Sequence, residues 1–308
     1  MMAVVNVLLP IFGLILAGYV CRRTGRLGDT AASELNRFVV WLCLPALLFM
    51  STATASAEEI WHPGFIAVVT LGTLLVFAIT VGYRWLVRRD LADASIDGLS
   101  ASYANTGYIG IPLCILVLGD DGLEPALIAT LIVVCLLFSI AIVCVEVGLQ
   151  NEPSALRAVR KVVVALARNP LVVSPILGGA WALSGLELPQ AAGQFLDMLG
   201  AATTPCALVS LGAFLAQRER GPANGALGLV GIKLIVHPLL VWWLAVHVFH
   251  LPPFWAKAAL LLSALPTGTG PFMLAEFYRR EASVVASSVL FSTVGSLVTL
   301  SFCLYWMG

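Results

Sequence analysis

The chain has 308 residues, 60% of them hydrophobic and 11% charged, with a mean hydropathy of +0.97. A soluble protein of this size and composition would not stay in solution, so the sequence reads as a polytopic membrane protein. Its formal net charge is zero, and the charges are segregated by loop, leaving no basic face for nucleic acid.

A membrane helix needs about 20 mostly apolar residues. Ten segments qualify in chain order, at 3–21, 35–54, 65–86, 98–118, 123–149, 170–186, 195–216, 226–248, 254–277 and 283–307. The first is followed, not preceded, by Arg22 and Arg23, the wrong order for a cleaved secretory signal, and is expected to be a true span. Every loop is short, which leaves no room for a soluble domain. The longest polar connection, 150–169, is expected to be a linker with an interfacial turn.

Lys and Arg collect in cytoplasmic loops. Arg22, Arg23, Arg26 and Arg37 fall between spans one and two, and Arg84, Arg88 and Arg89 follow span three. Arg157, Arg160, Lys161 and Arg168 follow span five, Arg218 and Arg220 span seven, and Arg279 and Arg280 span nine. Only Lys233 and Lys257 of the 17 basic residues stand apart. The alternate loops carry Glu58 and Glu59, then Asp120, Asp121 and Glu124, then Glu187. Both termini are therefore expected outside.

The two halves share punctuation. Pro10-Ile11-Phe12-Gly13 recurs as Pro175-Ile176-Leu177-Gly178, and Pro45-Ala46-Leu47 resembles Pro205-Cys206-Ala207-Leu208. With an odd number of spans in each half, a duplication inserts the second half upside down, the inverted-repeat plan of secondary transporters. The expected architecture is an all-α polytopic membrane protein of ten transmembrane helices in two inverted five-helix repeats, residues 1–150 and 170–308, joined by a cytoplasmic linker at 151–169.

Spans four and nine are interrupted. One reads Asn105-Thr106-Gly107-Tyr108-Ile109-Gly110-Ile111-Pro112, the other Pro266-Thr267-Gly268-Thr269-Gly270-Pro271. Irregular backbone at membrane depth is tolerated only where protein or a watery cavity satisfies its N–H and C=O groups. If both unwind near the midplane, two helix N-termini face a common centre with free amides and a fractional positive charge, which favours a carboxylate. The glycines allow close approach, and Asn105, Thr106, Thr267 and Thr269 replace lost water. The alternative is two kinked helices with Ser/Thr back-bonding, since glycine and proline are common in membrane helices.

Lys233 is the only basic residue well inside a span, with His237 one turn on and Pro238 next. Burying a lysine there costs about 2.5–3.5 kcal/mol on the lenient scale. Three roles stay open: balancing a substrate anion, relaying a proton with His237, or snorkelling to the interface. Asp197, Glu146 and Glu276 are expected to be solvated helix ends. The seven cysteines form no C-x-x-C pair or metal spacing and are read as small buried hydrophobes. The chain has no H-E-x-x-H, no phosphate loop and no nucleophile elbow. Neither an enzyme nor an ATP-driven pump is expected, and no cofactor or metal.

At these residues the chain resembles the auxin efflux carrier family, including its bacterial malonate and malate permease-like members. The resemblance rests on Leu35-Asn36-Arg37-Phe38, Pro45-Ala46-Leu47, Asn105-Thr106-Gly107 with Gly110-Ile111-Pro112, Pro205 to Gly212, Lys233 with His237-Pro238, and Ala264 to Pro271 with Ala275. It implies a fold similar to sodium/bile acid symporters, with helices four and nine crossing at their prolines. It implies a homodimer in the bacterial inner membrane, with spans one, two, six and seven as scaffold and the rest as an elevator-like transport domain. The substrate-binding residues so expected are Asn105, Thr106, Gly110, Pro112, Thr267, Gly268, Pro271, Lys233 and His237. The expected function is secondary transport of small mono- or dicarboxylates such as malonate or malate, with a proton or sodium as the coupling ion. The alternatives are a sodium-coupled symporter of the bile-acid type and a metabolite-sensing membrane receptor.

Overall fold

The computed structural model describes residues 2–54, 61–87, 90–150, 155–216 and 225–307. Glu58, Glu59, Arg88, Arg89, Arg218 and Arg220, which carry part of the charge alternation, lie outside the described residues, as does the start of the linker. The described chain is all helical: α1 (Met2–Arg23), α2 (Ala31–Ala53), α3 (Pro63–Leu86), α4 (Leu91–Ser102), α5 (Ile111–Leu118), α6 (Asp120–Gly148), α7 (Ala155–Arg168), α8 (Pro170–Ser184), α9 (Gln190–Leu215), α10 (Ala226–Val248), α11 (Pro253–Ser263), α12 (Gly270–Phe277) and α13 (Ser283–Met307). Six of these, α2, α3, α6, α9, α10 and α13, are each long and apolar enough to cross a membrane. The protein is a multi-pass membrane protein.

Two expectations change in detail. The helix expected from residue 98 begins at Leu91, where the Asp90 carboxylate caps it by accepting from the Asp93 amide at 2.7 Å. That extension brings Asp97 into the helix, 1% exposed, with its carboxylate 2.6 Å from Arg84 Nε. The linker contains a 14-residue helix, α7, with Arg157, Arg160, Lys161 and Arg168 along it, more than the interfacial turn expected.

Proline shapes the helix interiors. Wide π turns at Val39–Cys43, Thr106–Gly110 and Ile232–Val236 each end two residues before a proline, Pro45, Pro112 and Pro238. A proline has no N–H for the carbonyl four residues back, and its ring crowds that carbonyl, so the preceding turn opens.

The helices sort into two bundles. In the first, α1 lies along α9, α2 along α8, and α9 also along α2. Glycines bring these backbones together: a Cβ on Gly18 would lie 2.1 Å from the Val209 carbonyl oxygen, and one on Gly212 would lie 1.9 Å from that of Ile15. Such small-residue seams are how helices gain packing energy in lipid, where no hydrophobic effect separates helix from solvent. In the second bundle α4 packs between α3 and α6, α11 against α10, α3 and α6, and α13 along α10.

Between the bundles α12 meets α2, α1 meets α5 and α13, and α9 meets α13. Asn36 of α2 donates to the Met273 carbonyl at 3.3 Å, and Phe214 of α9 meets Phe272 edge-on at 5.2 Å. On the far side of α12, Arg280 pairs with Asp90 and, at 2.6 Å, with Asp93, which ties the end of α12 to the start of α4. The hydrogen bond to Asp93, backed by both carboxylate charges, raises the Arg280 pKa above its ordinary value. Asp197 is exposed, as expected. Glu146 is partly buried and accepts from the Tyr278 hydroxyl at 2.6 Å, so it is a paired helix end, not a solvated one.

Candidate functional site

The helix that begins as α4 stops at Ser102, because Tyr103 turns extended at φ −77, ψ 93. The chain resumes as a helix at Thr106. Likewise α11 stops at Ser263 and α12 starts at Gly270. The two extended pieces cross antiparallel at Ala104 and Thr267. The Asn105 amide donates to the Pro266 carbonyl at 2.9 Å, and the Gly268 amide to the Tyr103 carbonyl at 3.0 Å. Each break thus replaces part of the hydrogen bonding that the other lost, the condition for irregular backbone inside a membrane protein.

Side chains complete the crossing. The Thr267 hydroxyl donates to the Ser100 carbonyl at 2.8 Å, and the Thr267 amide donates to Ser292 Oγ of α13 at 3.0 Å. The Tyr103 ring lies over the opposite strand: a Cβ on Gly270 would meet its Cζ at 2.6 Å, and one on Gly268 its Cε1 at 2.9 Å. Only glycine fits beneath that ring. The ring itself is held edge-on to Phe138 at 5.8 Å.

The crossing has an open and a closed side. Asn105, Gly107 and Thr269 are half-exposed, and a Cβ on Gly107 would meet nothing within 4 Å. The Asn105 side chain makes no hydrogen bond among the described residues, so its amide is available to a ligand. On the closed side is a cavity of about 10 Å³ lined by Thr73, Thr106, His237 and Ser263 among apolar neighbours. That is room for one water molecule and not for a dicarboxylate. Thr106 Oγ1 and His237 Nδ1 are buried there without partners, while His237 Nε2 lies 3.4 Å from Thr73 Oγ1.

The structure brings together Asn105, Thr106, Gly110, Thr267, Gly268 and Pro271 at or beside the crossing. Gly110 serves packing: a Cβ there would lie 2.9 Å from Leu265 Cδ1. Pro271 is buried in the first turn of α12. Pro112 is exposed at the start of α5, and the strands cross at Ala104 and Thr267, short of the Pro112 and Pro271 expected from the resemblance; the proline at the crossing is Pro266. Lys233 is fully buried and its ammonium donates to the Ser263 carbonyl at 2.7 Å, so it does not snorkel. No three His, Cys, Asp or Glu residues cluster as metal ligands among the described residues.

Sequence reasoning missed Tyr103, Thr73, Ser263, Ser292 and the Arg84–Asp97 pair. Tyr103 carried a signal, since it stands just before the break while the partner strand holds two glycines. Thr73, Ser263 and Ser292 carried none, being ordinary helix serines and threonines until a neighbour is placed against them.

Comparison with known proteins is consistent over nearly the whole chain. The family described as "Membrane transport protein" matches residues 3–304. A "Putative malonate transporter" of Rhizobium meliloti is 30% identical over 99% of this chain and 96% of its own length. An "Uncharacterized transporter" of Methanothermobacter thermautotrophicus is 28% identical over 95% of this chain and 94% of its own. A "Probable auxin efflux carrier component 1b" of Oryza sativa is 29% identical over 46% of this chain and 26% of its own.

Proposed function

We propose, because this chain belongs to the membrane transport protein family that includes the auxin efflux carriers, that it is a secondary carrier of small organic anions, mono- or dicarboxylates of the malonate and malate kind. The observation that carries this reading is the crossing of two broken helices at Ala104 and Thr267. Its half-open side offers the Asn105 side-chain amide and the Thr269 hydroxyl, both donors suited to a carboxylate. No enzyme chemistry is required of it.

On this reading the chain makes ten passes in two inverted repeats. The broken fourth pass is α4 with α5 and the broken ninth is α11 with α12, while α1, α8 and the other helices complete the count. Both termini lie outside a bacterial inner membrane. The bundle of α1, α2, α8 and α9 is the scaffold, stiffened by its glycine seams. The second bundle carries the substrate past it in an elevator-like step, and the contacts that α5, α12 and α13 make with the scaffold are those that must exchange. The closed cavity of about 10 Å³ is not the substrate's place; Asn105, Gly107 and Thr269 mark the side from which it enters. Two copies pair through their scaffolds.

The test is ligand-induced stabilisation of purified protein. A ligand held by the folded state raises stability by about 2.7 kcal/mol at one hundred times its dissociation constant. Malonate or malate is expected to raise the melting temperature saturably at equal ionic strength, where chloride and choline do not. A flat response to every short mono- and dicarboxylate would contradict the reading.

A further inference from the structure

The ends of broken helices are electrically demanding. The last four carbonyls of a helix lack partners, and together they act as roughly half a negative charge. At the end of α11 this pole is buried: Leu260, Leu261, Leu262 and Ser263 are all 6% exposed or less. Two groups close the Leu260 carbonyl, the Ala264 amide at 2.9 Å and the Ser263 hydroxyl at 2.9 Å. The Ser263 carbonyl is met by the ammonium of Lys233, from α10, at 2.7 Å.

We propose that Lys233 is a tethered counter-cation: its ammonium holds the charge position at the end of α11 that a carrier with this crossing would otherwise fill with a soluble metal ion. The inference rests on the transport reading for its purpose, though its first test does not need that reading. Half-helix C-terminal ends and unwound carbonyls are where carriers of this plan bind sodium or protons. Here the lysine arrives at that end from a neighbouring helix, aimed by the π turn Ile232–Val236 that Pro238 opens. The remaining groups around the adjoining cavity are Thr73, Thr106 and His237, all uncharged acceptors or donors, and the cavity holds a single water at most. A metal ion placed there would face the ammonium without a carboxylate to offset the repulsion. The nearest buried acid along α4, Asp97, is already engaged with Arg84.

Two consequences set this apart from a lysine that touches substrate. The positive charge belongs to the protein, so sodium is not needed for anion binding. Because α10 and α11 pack in the same bundle, the charge travels with the crossing and returns with it.

The test removes the tether and supplies the cation from solution. Lys233→Ala protein is purified in detergent, and its melting temperature is followed in propylammonium chloride, sodium chloride and choline chloride at equal ionic strength. Propylammonium replaces the missing part of the side chain, and choline is too bulky. The variant is expected to melt lower than wild type and to recover saturably, by about 3 °C or more, in propylammonium but not choline. Wild type is expected to respond to none of the three beyond ionic strength. Chloride is common to all three salts and no carboxylate is present, so the comparison among the cations holds whatever the substrate is. If Lys233→Ala does not fold, Lys233→Met keeps the packing while removing a buried charge, and it is expected to fold and to lose anion binding by roughly tenfold or more. Saturable, sodium-specific stabilisation of wild type would overturn the proposal. So would a folded Lys233→Ala indifferent to propylammonium, or a Lys233→Met that binds anions as wild type does.

Discussion

At the end of α4 the Ser100 carbonyl is met by the Thr267 hydroxyl and the Tyr103 carbonyl by the Gly268 amide, neutral donors brought by the opposite strand. At the end of α11 the Ser263 carbonyl is met by an ammonium brought from a different helix. Two breaks that the sequence presents as a matched pair are therefore closed by unlike chemistry. Neutral bonds between the strands fix where they cross. A buried charge beside them costs desolvation that crossing alone does not require, so it points to electrostatic work at that end.

That contrast can be broken at the crossing itself. The largest effect is expected from Gly270→Val, whose added methyls must occupy the space of the Tyr103 ring. Overpacking of this kind costs about 1–3 kcal/mol, and the upper end is expected here because both strands are held on each side. Melting of the purified protein should fall accordingly, and Tyr103→Leu in the same chain should restore part of it. Wild-type melting of Gly270→Val alone would mean that the ring does not pin the strands.

A smaller and more discriminating pair compares two threonines one strand apart. Thr267→Val leaves the buried Ser100 carbonyl without its donor and is expected to cost about 1–3 kcal/mol. Thr106→Val removes a hydroxyl that has no partner in the structure and should change stability by less than about 0.5 kcal/mol. Equal melting temperatures for the two variants would erase the distinction between the sealed strand contact and the cavity wall.

The sequence located both breaks because glycine and proline interrupt apolar runs in a way that simple hydropathy makes plain. It also placed Asn105, Thr106, Thr267 and Gly268 together, since paired breaks have to satisfy each other's backbone. It could not reveal which atoms do so. The α4 start was set too late because the expected span began after Asp97, whose carboxylate is held inside the helix with Arg84 of the preceding helix beside it. Pro112 was drawn into the site by its motif, whereas its effect is to open the turn before it and leave itself exposed. Lys233 stayed open between three roles because a lysine's long stem reaches the interface or a neighbouring helix equally well. The Ser263 carbonyl, which holds the ammonium inside the protein, sets aside the interface alone.

The central claim is that Asn105, on the open side of the crossing, holds the anion. It is tested most directly by uptake of radiolabelled malonate into proteoliposomes containing only this protein, wild type against Asn105→Ala. Wild type is expected to show saturable uptake. The variant should melt as wild type does and take up at least about tenfold less at low substrate, the loss of one hydrogen bond to a charged group. Equal uptake by the two folded proteins would contradict the claim.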